Sequence, residues 1–219
     1  MRSPGWVGRG RGGQRGQRSS GVRASRLFDS RASYPSRKVP PKRKDGGVSE
    51  RNVLDAKGVE EALDRLAAAI AARPHGEDLA VIGIRRRGVP LAERLAGRLA
   101  KLSPRVGSLD ITLYRDDLSL IADQPVVHAT EIDFPLDGLR VVLVDDVLFT
   151  GRTTRSAIDA LFALGRPARI ELAVLVDRGH RELPFAADYV GQTVETQRSE
   201  RVEVSVTELD GSDGVKVTQ

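Results

Sequence analysis

Two adjacent carboxylates, Asp145 and Asp146, follow the apolar run Val141, Val142, Leu143 and Val144. Val147, Leu148 and Phe149 separate them from Thr150, Gly151, Arg152, Thr153 and Thr154. Ionised carboxylates only accept hydrogen bonds, so a neighbouring pair suits the vicinal hydroxyls of a sugar. A hydroxyl-rich turn that opens a helix offers backbone N–H groups with no partner inside the helix, and a phosphate dianion is their natural guest. The helix dipole contributes about 0.3–1 kcal/mol there, whereas each hydrogen bond to a charged group is worth about 1.5–3 kcal/mol. Amides and hydroxyls, rather than the dipole, would therefore carry the binding of a sugar phosphate. The alternative is a pair of solvated strand-end acids and a Thr150 that only caps the helix. The combination of acids and hydroxyl turn at this spacing favours the ligand site. No glycine-rich loop ending in Gly-Lys-Ser or Gly-Lys-Thr occurs, which argues against a nucleoside-triphosphate loop.

The elements that must hold these groups are legible in the apolar pattern. The run 141–144 is apolar on both faces, as a central strand of a parallel sheet must be. Ala157, Ile158, Leu161 and Leu164 then mark one face of a helix. A short apolar strand at 79–84 precedes Arg85, Arg86, Arg87 and Gly88, with a helix expected over 90–101. Another strand at 170–176 precedes Asp177, Arg178, Gly179, His180 and Arg181. Ligands in open α/β sheets bind outside the carboxyl ends of the strands, so three strands deliver charge to one rim. Residues 109–113 read as a further strand, and Tyr114, Arg115, Asp116 and Asp117 open a polar segment running to about residue 125. Val59, Leu63, Leu66, Ala67 and Ile70 predict a helix capped by Asp55 and ended before Pro74. Val202, Val204 and Val206 alternate with polar residues and predict a half-buried strand.

The stretch 141–154 resembles the ribose-phosphate signature of the type I phosphoribosyltransferases. Three further strings, LDITLYRDDLS at 109–119, LAVLVDRGHRELP at 172–184 and ADYVG at 187–191, resemble the members of that family that transfer uracil and regulate pyrimidine genes. The resemblance spans roughly residue 52 to the end of the chain. It implies an α/β fold with a mostly parallel central sheet flanked by helices and a small C-terminal hood within about 177–219. It also implies that phosphoribosyl pyrophosphate (PRPP) and uracil are converted to uridine monophosphate (UMP) and pyrophosphate. Asp145 and Asp146 would hold the ribose, residues 141–154 would line the site, and Arg86 and Arg87 would receive the pyrophosphate. Relatives carry threonine where this chain has Arg86. Arg115 would lie on a mobile flap that closes over the substrate. Arg178 would contact substrate, Tyr189 and Val190 would face the uracil, and Asp177 is the candidate ligand of a magnesium ion carried by the pyrophosphate.

The same resemblance implies a UMP-responsive regulator acting through the leader mRNA of pyrimidine genes, and an assembly of two or more copies. Where the RNA-binding relatives carry arginine and lysine, this chain has Ala186 and Gln192. It has Asp64 and Ala68 where they often carry threonine and histidine. Three readings stay open: an enzyme that also binds RNA, an enzyme or nucleotide sensor without RNA binding, and a transferase for another base.

Composition bounds these readings. The chain has 219 residues, 40% of them hydrophobic, enough for one substantial core. It has no cysteine, so disulfides and thiolate metal sites are excluded. No apolar run approaches the roughly 18 residues that span a membrane, and a cytoplasmic protein is expected. The net charge of +5 is unevenly spread. Residues 1–47 hold 13 Lys and Arg against 2 Asp, a net +11, leaving 22 against 28, a net −6, for the rest. That Gly/Arg-rich stretch predicts a disordered tail before a domain at 52–219. Its arginines could follow a nucleic-acid backbone. A flexible extension or a start assigned too far upstream are the alternatives.

Overall fold

The computed structural model describes residues 50–73, 76–112 and 130–219. The predicted tail at 1–47 and the predicted flap with Arg115 lie outside the described residues, as does Pro74. In chain order the elements are β1 (Glu50–Leu54), α1 (Ala56–Ala72), β2 (Leu79–Ile84), α2 (Gly88–Arg98), β3 (Arg105–Leu109) and β4 (Arg140–Leu148). α3 (Arg152–Leu164), β5 (Arg169–Asp177), β6 (Tyr189–Thr193), β7 (Arg201–Ser205), α4 (Thr207–Asp210) and β8 (Gly214–Thr218) follow.

Five parallel strands form the main sheet in the order β3-β2-β4-β5-β6. Both faces are covered, which is why β2 is buried at every position and the run 141–144 has no polar alternation. Val59, Leu63, Leu66 and Ile70 of α1 and Leu91 and Leu95 of α2 pack on Val142, Val144, Ala173 and Leu175. On the other face Ala157, Ala160 and Leu161 of α3 pack on Val141, Leu143, Leu172 and Val174. Asp55 caps α1 as its sequence suggests, accepting from the Gly58 N–H at 2.8 Å.

Some boundaries differ from the sequence expectation. The strand expected at 109–113 ends at Leu109, because Asp110 turns back and accepts from the N–H of Thr112. α2 begins two residues before Pro90 and stops at Arg98, and a single 3-10 turn, Ala100–Leu102, replaces its expected last turn. Leu164 is exposed rather than part of the apolar face of α3, since that helix ends there.

The hood is a second, antiparallel sheet in the order β1-β8-β7. Its central strand is the last of the chain, and one edge comes from residues 50–54, which no sequence pattern marked. Val204, Val206, Val215 and Val217 join the core cluster on the α1 face. No helix among the described residues is long and apolar enough to cross a membrane.

Candidate functional site

The chain enters the main sheet at β2, adds β3 on one side and then crosses to β4 on the other. Strand order therefore reverses between β2 and β4, the place in such sheets where a crevice opens at the carboxyl ends. Two of the three loops singled out in the sequence leave from these strands, so topology brings the arginines of residues 85–87 beside Asp145 and Asp146. The approach is tight. A Cβ on Gly88 would lie 2.4 Å from the Val144 carbonyl oxygen and 3.5 Å from the Asp145 Cα.

Asp145 and Asp146 lie within β4 rather than beyond it, since pairing with β5 continues to Leu148 opposite Asp177. Asp145 is buried, and the Asp146 N–H donates to its Oδ1 at 3.0 Å. Burial lifts the Asp145 pKa well above the ordinary carboxylate value, and the adjacent charge of Asp146 lifts it further; the Asp146 N–H partly offsets both. Asp146 is half-buried and accepts from the Val147 N–H at 2.9 Å.

The turn that follows is held from outside. The Thr150 carbonyl accepts from Glu182 at 2.9 Å and Leu183 at 3.0 Å. Gly151 occupies the N-cap of α3 with φ +92°, a left-handed backbone that favours glycine, and a Cβ there would meet the Phe185 ring at 3.2 Å. Thr150 is thus not a helix cap of the expected kind, although its Oγ1 lies 3.4 Å from the Arg152 N–H. The N–H groups of Thr153 and Thr154 have no acceptor among the described residues. Asp145, Val147, Leu148, Phe149, Thr150, Gly151, Arg152, Thr153 and Thr154 line a cavity of about 290 Å³. A larger one, about 500 Å³, runs along β3 between Glu93, Glu131 and Asp133. Its acids make it a poor host for a phosphate.

The arginines of the β2 loop diverge. Arg85 turns to Ser108 at 3.0 Å and Glu131 at 3.1 Å. Arg86 is exposed, with no side-chain partner among the described residues. Arg87 meets the hood through Asp210, at 3.1 Å from Nε and 2.8 Å from Nη2.

The β5 loop brings its charges to the same rim. Asp177 accepts from the Gly179 N–H at 2.9 Å and from Arg181. Arg178 is buried, its guanidinium 4.1 Å from the Phe149 ring centre and its Nη2 3.0 Å from the Gln197 carbonyl. Desolvation lowers its pKa. His180, at φ +63°, is held by Nε2 against the Thr196 carbonyl at 2.7 Å. From sequence Arg181 is only one more charge on this rim. It donates to the carbonyls of Leu148, Phe149, Gly179 and Phe185 at 2.8–3.3 Å, and so binds the turn after β4 to the β5 loop.

Tyr189 does not face the site. Its hydroxyl points to the amino end of the sheet, where it lies 2.9 Å from both Arg140 and Glu171. It is buried because β6 begins there, opposite Ala173 of β5. Val190 is exposed on β6, in register with Val174 and two strands from Asp145.

A model of the phosphoribosyl transferase domain matches residues 49–210. A protein of Pelotomaculum thermopropionicum named bifunctional protein PyrR is 55% identical over 171 residues, covering 76% of this chain and 94% of that protein. The chain belongs to the phosphoribosyltransferase family, and within it to the PyrR proteins. A second PyrR, from a Roseiflexus species, is 54% identical over 177 residues, covering 78% of this chain and 97% of that protein. Among solved structures, the Trypanosoma cruzi hypoxanthine phosphoribosyltransferase aligns with a TM-score of 0.59 at 18% identity, covering 82% of this chain and 95% of that one. The Staphylococcus aureus enzyme of the same name gives 0.58 at 19%, covering 76% and 90%. At that identity the shared property is the phosphoribosyltransferase fold, and a likeness of fold carries no base preference.

Proposed function

We propose that this protein transfers the phosphoribosyl group of PRPP to uracil in the cytoplasm. In this reaction the bond from the anomeric carbon to the pyrophosphate oxygen breaks, and a bond from that carbon to uracil N1 forms. The N1 proton is released, and the products are UMP and pyrophosphate. The observation that carries the reading is the cavity that Asp145 shares with the unpartnered amides of Thr153 and Thr154, with the β2 loop of Arg86 and Arg87 packed beside Asp145.

Each group has work that its position supports. The turn from Thr150 to Thr154 anchors the 5′-phosphate, and Gly151 lets the backbone close on it. Asp145 and Asp146 accept from the ribose hydroxyls beneath the ring, where positive charge develops as the leaving group departs. Arg86 and Arg87 offset the negative charge that builds on the pyrophosphate. Arg178, stacked on Phe149, adds a buried positive charge near the turn. Arg115 on the flap would help exclude water, so that transfer to the base prevails over hydrolysis.

A magnesium ion, when bound with the pyrophosphate, would neutralise its charge and orient it. Asp177 fits as its one protein carboxylate, because each oxygen keeps a free acceptor position beside its bonds to Gly179 and Arg181. Among the described residues no group of three or more His, Cys, Asp or Glu could hold a metal ion. The remaining ligands would then be phosphate oxygens and water, as magnesium prefers.

Transfer of labelled uracil to UMP with PRPP and magnesium, run beside hypoxanthine, guanine and adenine, tests the reading. Turnover with uracil alone is the expected result, and turnover with a purine alone would replace it with a transferase for another base.

The relatives' name, bifunctional protein PyrR, favours a second activity here: UMP-responsive control of pyrimidine genes through leader mRNA, by an assembly of more than one copy. Asp64, Ala68 and Ala186 are exposed, and Asp64 engages Arg98 in an ion pair at 2.7 Å, which takes that cation from a phosphate. The basic residues 1–47 would then supply the RNA contacts. A salt-sensitive shift of leader RNA that disappears when residues 1–47 are removed is the expected outcome. No shift at any salt would leave the enzyme alone.

A further inference from the structure

No sequence motif marks Asp210, yet its carboxylate holds Arg87, one of the arginines proposed to receive the pyrophosphate. Oδ1 accepts from Arg87 Nη2 at 2.8 Å and Oδ2 from Arg87 Nε at 3.1 Å, so the two side chains meet as fork on fork. Oδ2 also accepts from the Val206 N–H at 2.9 Å, which ties the carboxylate to the start of α4. The segment carrying Asp210 is fastened to α2 a second time. Arg94 donates to Glu208 at 2.7 and 2.8 Å and to Asp213 at 2.8 and 3.0 Å. Asp213 in turn accepts from the Thr207 N–H and hydroxyl at 2.7 and 2.9 Å. Asp210 is therefore a fixed point relative to the helix that begins just after Arg87.

The edge of the guanidinium that Asp210 takes is decisive. Five N–H groups fan out from an arginine, and this pair uses one on Nε and one on Nη2. Both N–H groups of Nη1 and the second of Nη2 stay available to another anion without breaking the pair. Gly88, the next residue, packs on the Val144 carbonyl beside Asp145, so Arg87 leaves the loop next to the strand that carries the two acids. An isolated exposed ion pair contributes little. A bidentate pair whose acid is itself anchored instead restricts where the remaining donors point, and such pre-organisation lowers the cost of binding.

We propose that Asp210 is a positioning residue: it orients Arg87 so that the free edge of the guanidinium receives the pyrophosphate, and thereby couples the hood to the β2 loop. The proposal rests on the reading of Arg87 given above. The opposite arrangement, in which Asp210 occupies the place of the pyrophosphate and must be displaced by it, requires the fork to open on binding and predicts the reverse effect of removing the charge.

The full-length protein and its Asp210→Asn variant separate these two. KM for PRPP, KM for uracil and kcat are measured, together with the Kd of magnesium pyrophosphate by calorimetry, which needs no turnover. Asp210→Asn should raise KM for PRPP and the pyrophosphate Kd by about tenfold, equivalent to one orienting interaction, with KM for uracil unchanged. Asp210→Glu should recover part of the loss. In an Arg87→Lys background, where no fork remains to be oriented, Asp210→Asn should add little. Unchanged or tighter pyrophosphate binding in Asp210→Asn overturns the positioning role. A parallel rise of both KM values with a lower melting temperature also overturns it, because the hood would then be acting only as structure. If the wild-type protein binds pyrophosphate in an Asp210-dependent way but transfers no uracil, the positioning role stands and the uracil reading falls.

Discussion

Gly88 sits against Val144 so closely that a Cβ would lie 2.4 Å from the Val144 carbonyl oxygen. The start of α2 is thereby pressed onto β4 at the point where Asp145 begins, and the two halves of the site depend on the missing side chain. Gly88→Ala should cost about 1–3 kcal/mol through forced displacement of backbone and raise KM for PRPP. Gly97, in the same helix, where an added Cβ would meet nothing within 4 Å, is the control. Gly97→Ala should leave kinetics unchanged and stabilise the fold by up to about 1 kcal/mol. Thermal melts and initial rates on both variants check this.

Asp145, proposed to hold the ribose, is buried at the expense of stability. Its pKa is raised in the folded protein by burial first and by Asp146 second, so the folded state binds more protons than the unfolded one above the ordinary carboxylate pKa. Stability then falls as pH rises through that window. Asp145→Asn should raise the melting temperature at neutral pH while lowering kcat by roughly 10²–10³-fold, the effect of deleting one pre-organised electrostatic group. A lowered melting temperature at neutral pH would contradict the assignment.

At the other end of the sheet, Arg140 and Glu171 form a buried pair at 2.8 Å, with side chains 3% and 2% exposed. Burial alone would raise the Glu171 pKa, but the Tyr189 hydroxyl, the Arg140 guanidinium and the charge of Arg73 outweigh it and hold it below the ordinary glutamate value. Its contribution is fully present above the unfolded value and disappears as pH falls through the depressed folded value. Glu171→Gln should cost about 3–5 kcal/mol at neutral pH by stranding the arginine and flatten the stability curve on the acid side. kcat of the folded fraction should not change. Denaturant titrations from about pH 2 to about pH 7, which spans the carboxylate range, read both effects.

Arg181 spends its donors on carbonyls of two loops and on Asp177. Lysine keeps the charge but cannot reproduce the fork. Arg181→Lys should therefore lower kcat/KM for PRPP by about 10²-fold, the scale of a small misplacement of catalytic groups, with a smaller effect on the melting temperature. Equal activity in the variant would make the contact dispensable.

The sequence by itself determined the strands and helices whose partners are nearly all apolar, and the groups that act through their own backbone. β2, β5 and α1 emerge where the pattern puts them because burial on both faces, or a stripe every three to four residues, leaves a direct trace in residue type. The acids and the hydroxyl turn of the proposed site are likewise legible, since ten consecutive residues, 145–154, carry its hydroxyls, acids and amides together. What required the tertiary structure was every relationship between residues distant in the chain. Strand order brings the β2 loop to Asp145. A hydrogen-bonding partner at residue 171 turns Tyr189 away from the crevice. A carboxylate 123 residues from Arg87 orients it. Ion pairs and side-chain to carbonyl bonds of this kind depend on position rather than periodicity, so no local pattern announces Asp210, Arg181 or the first strand of the hood.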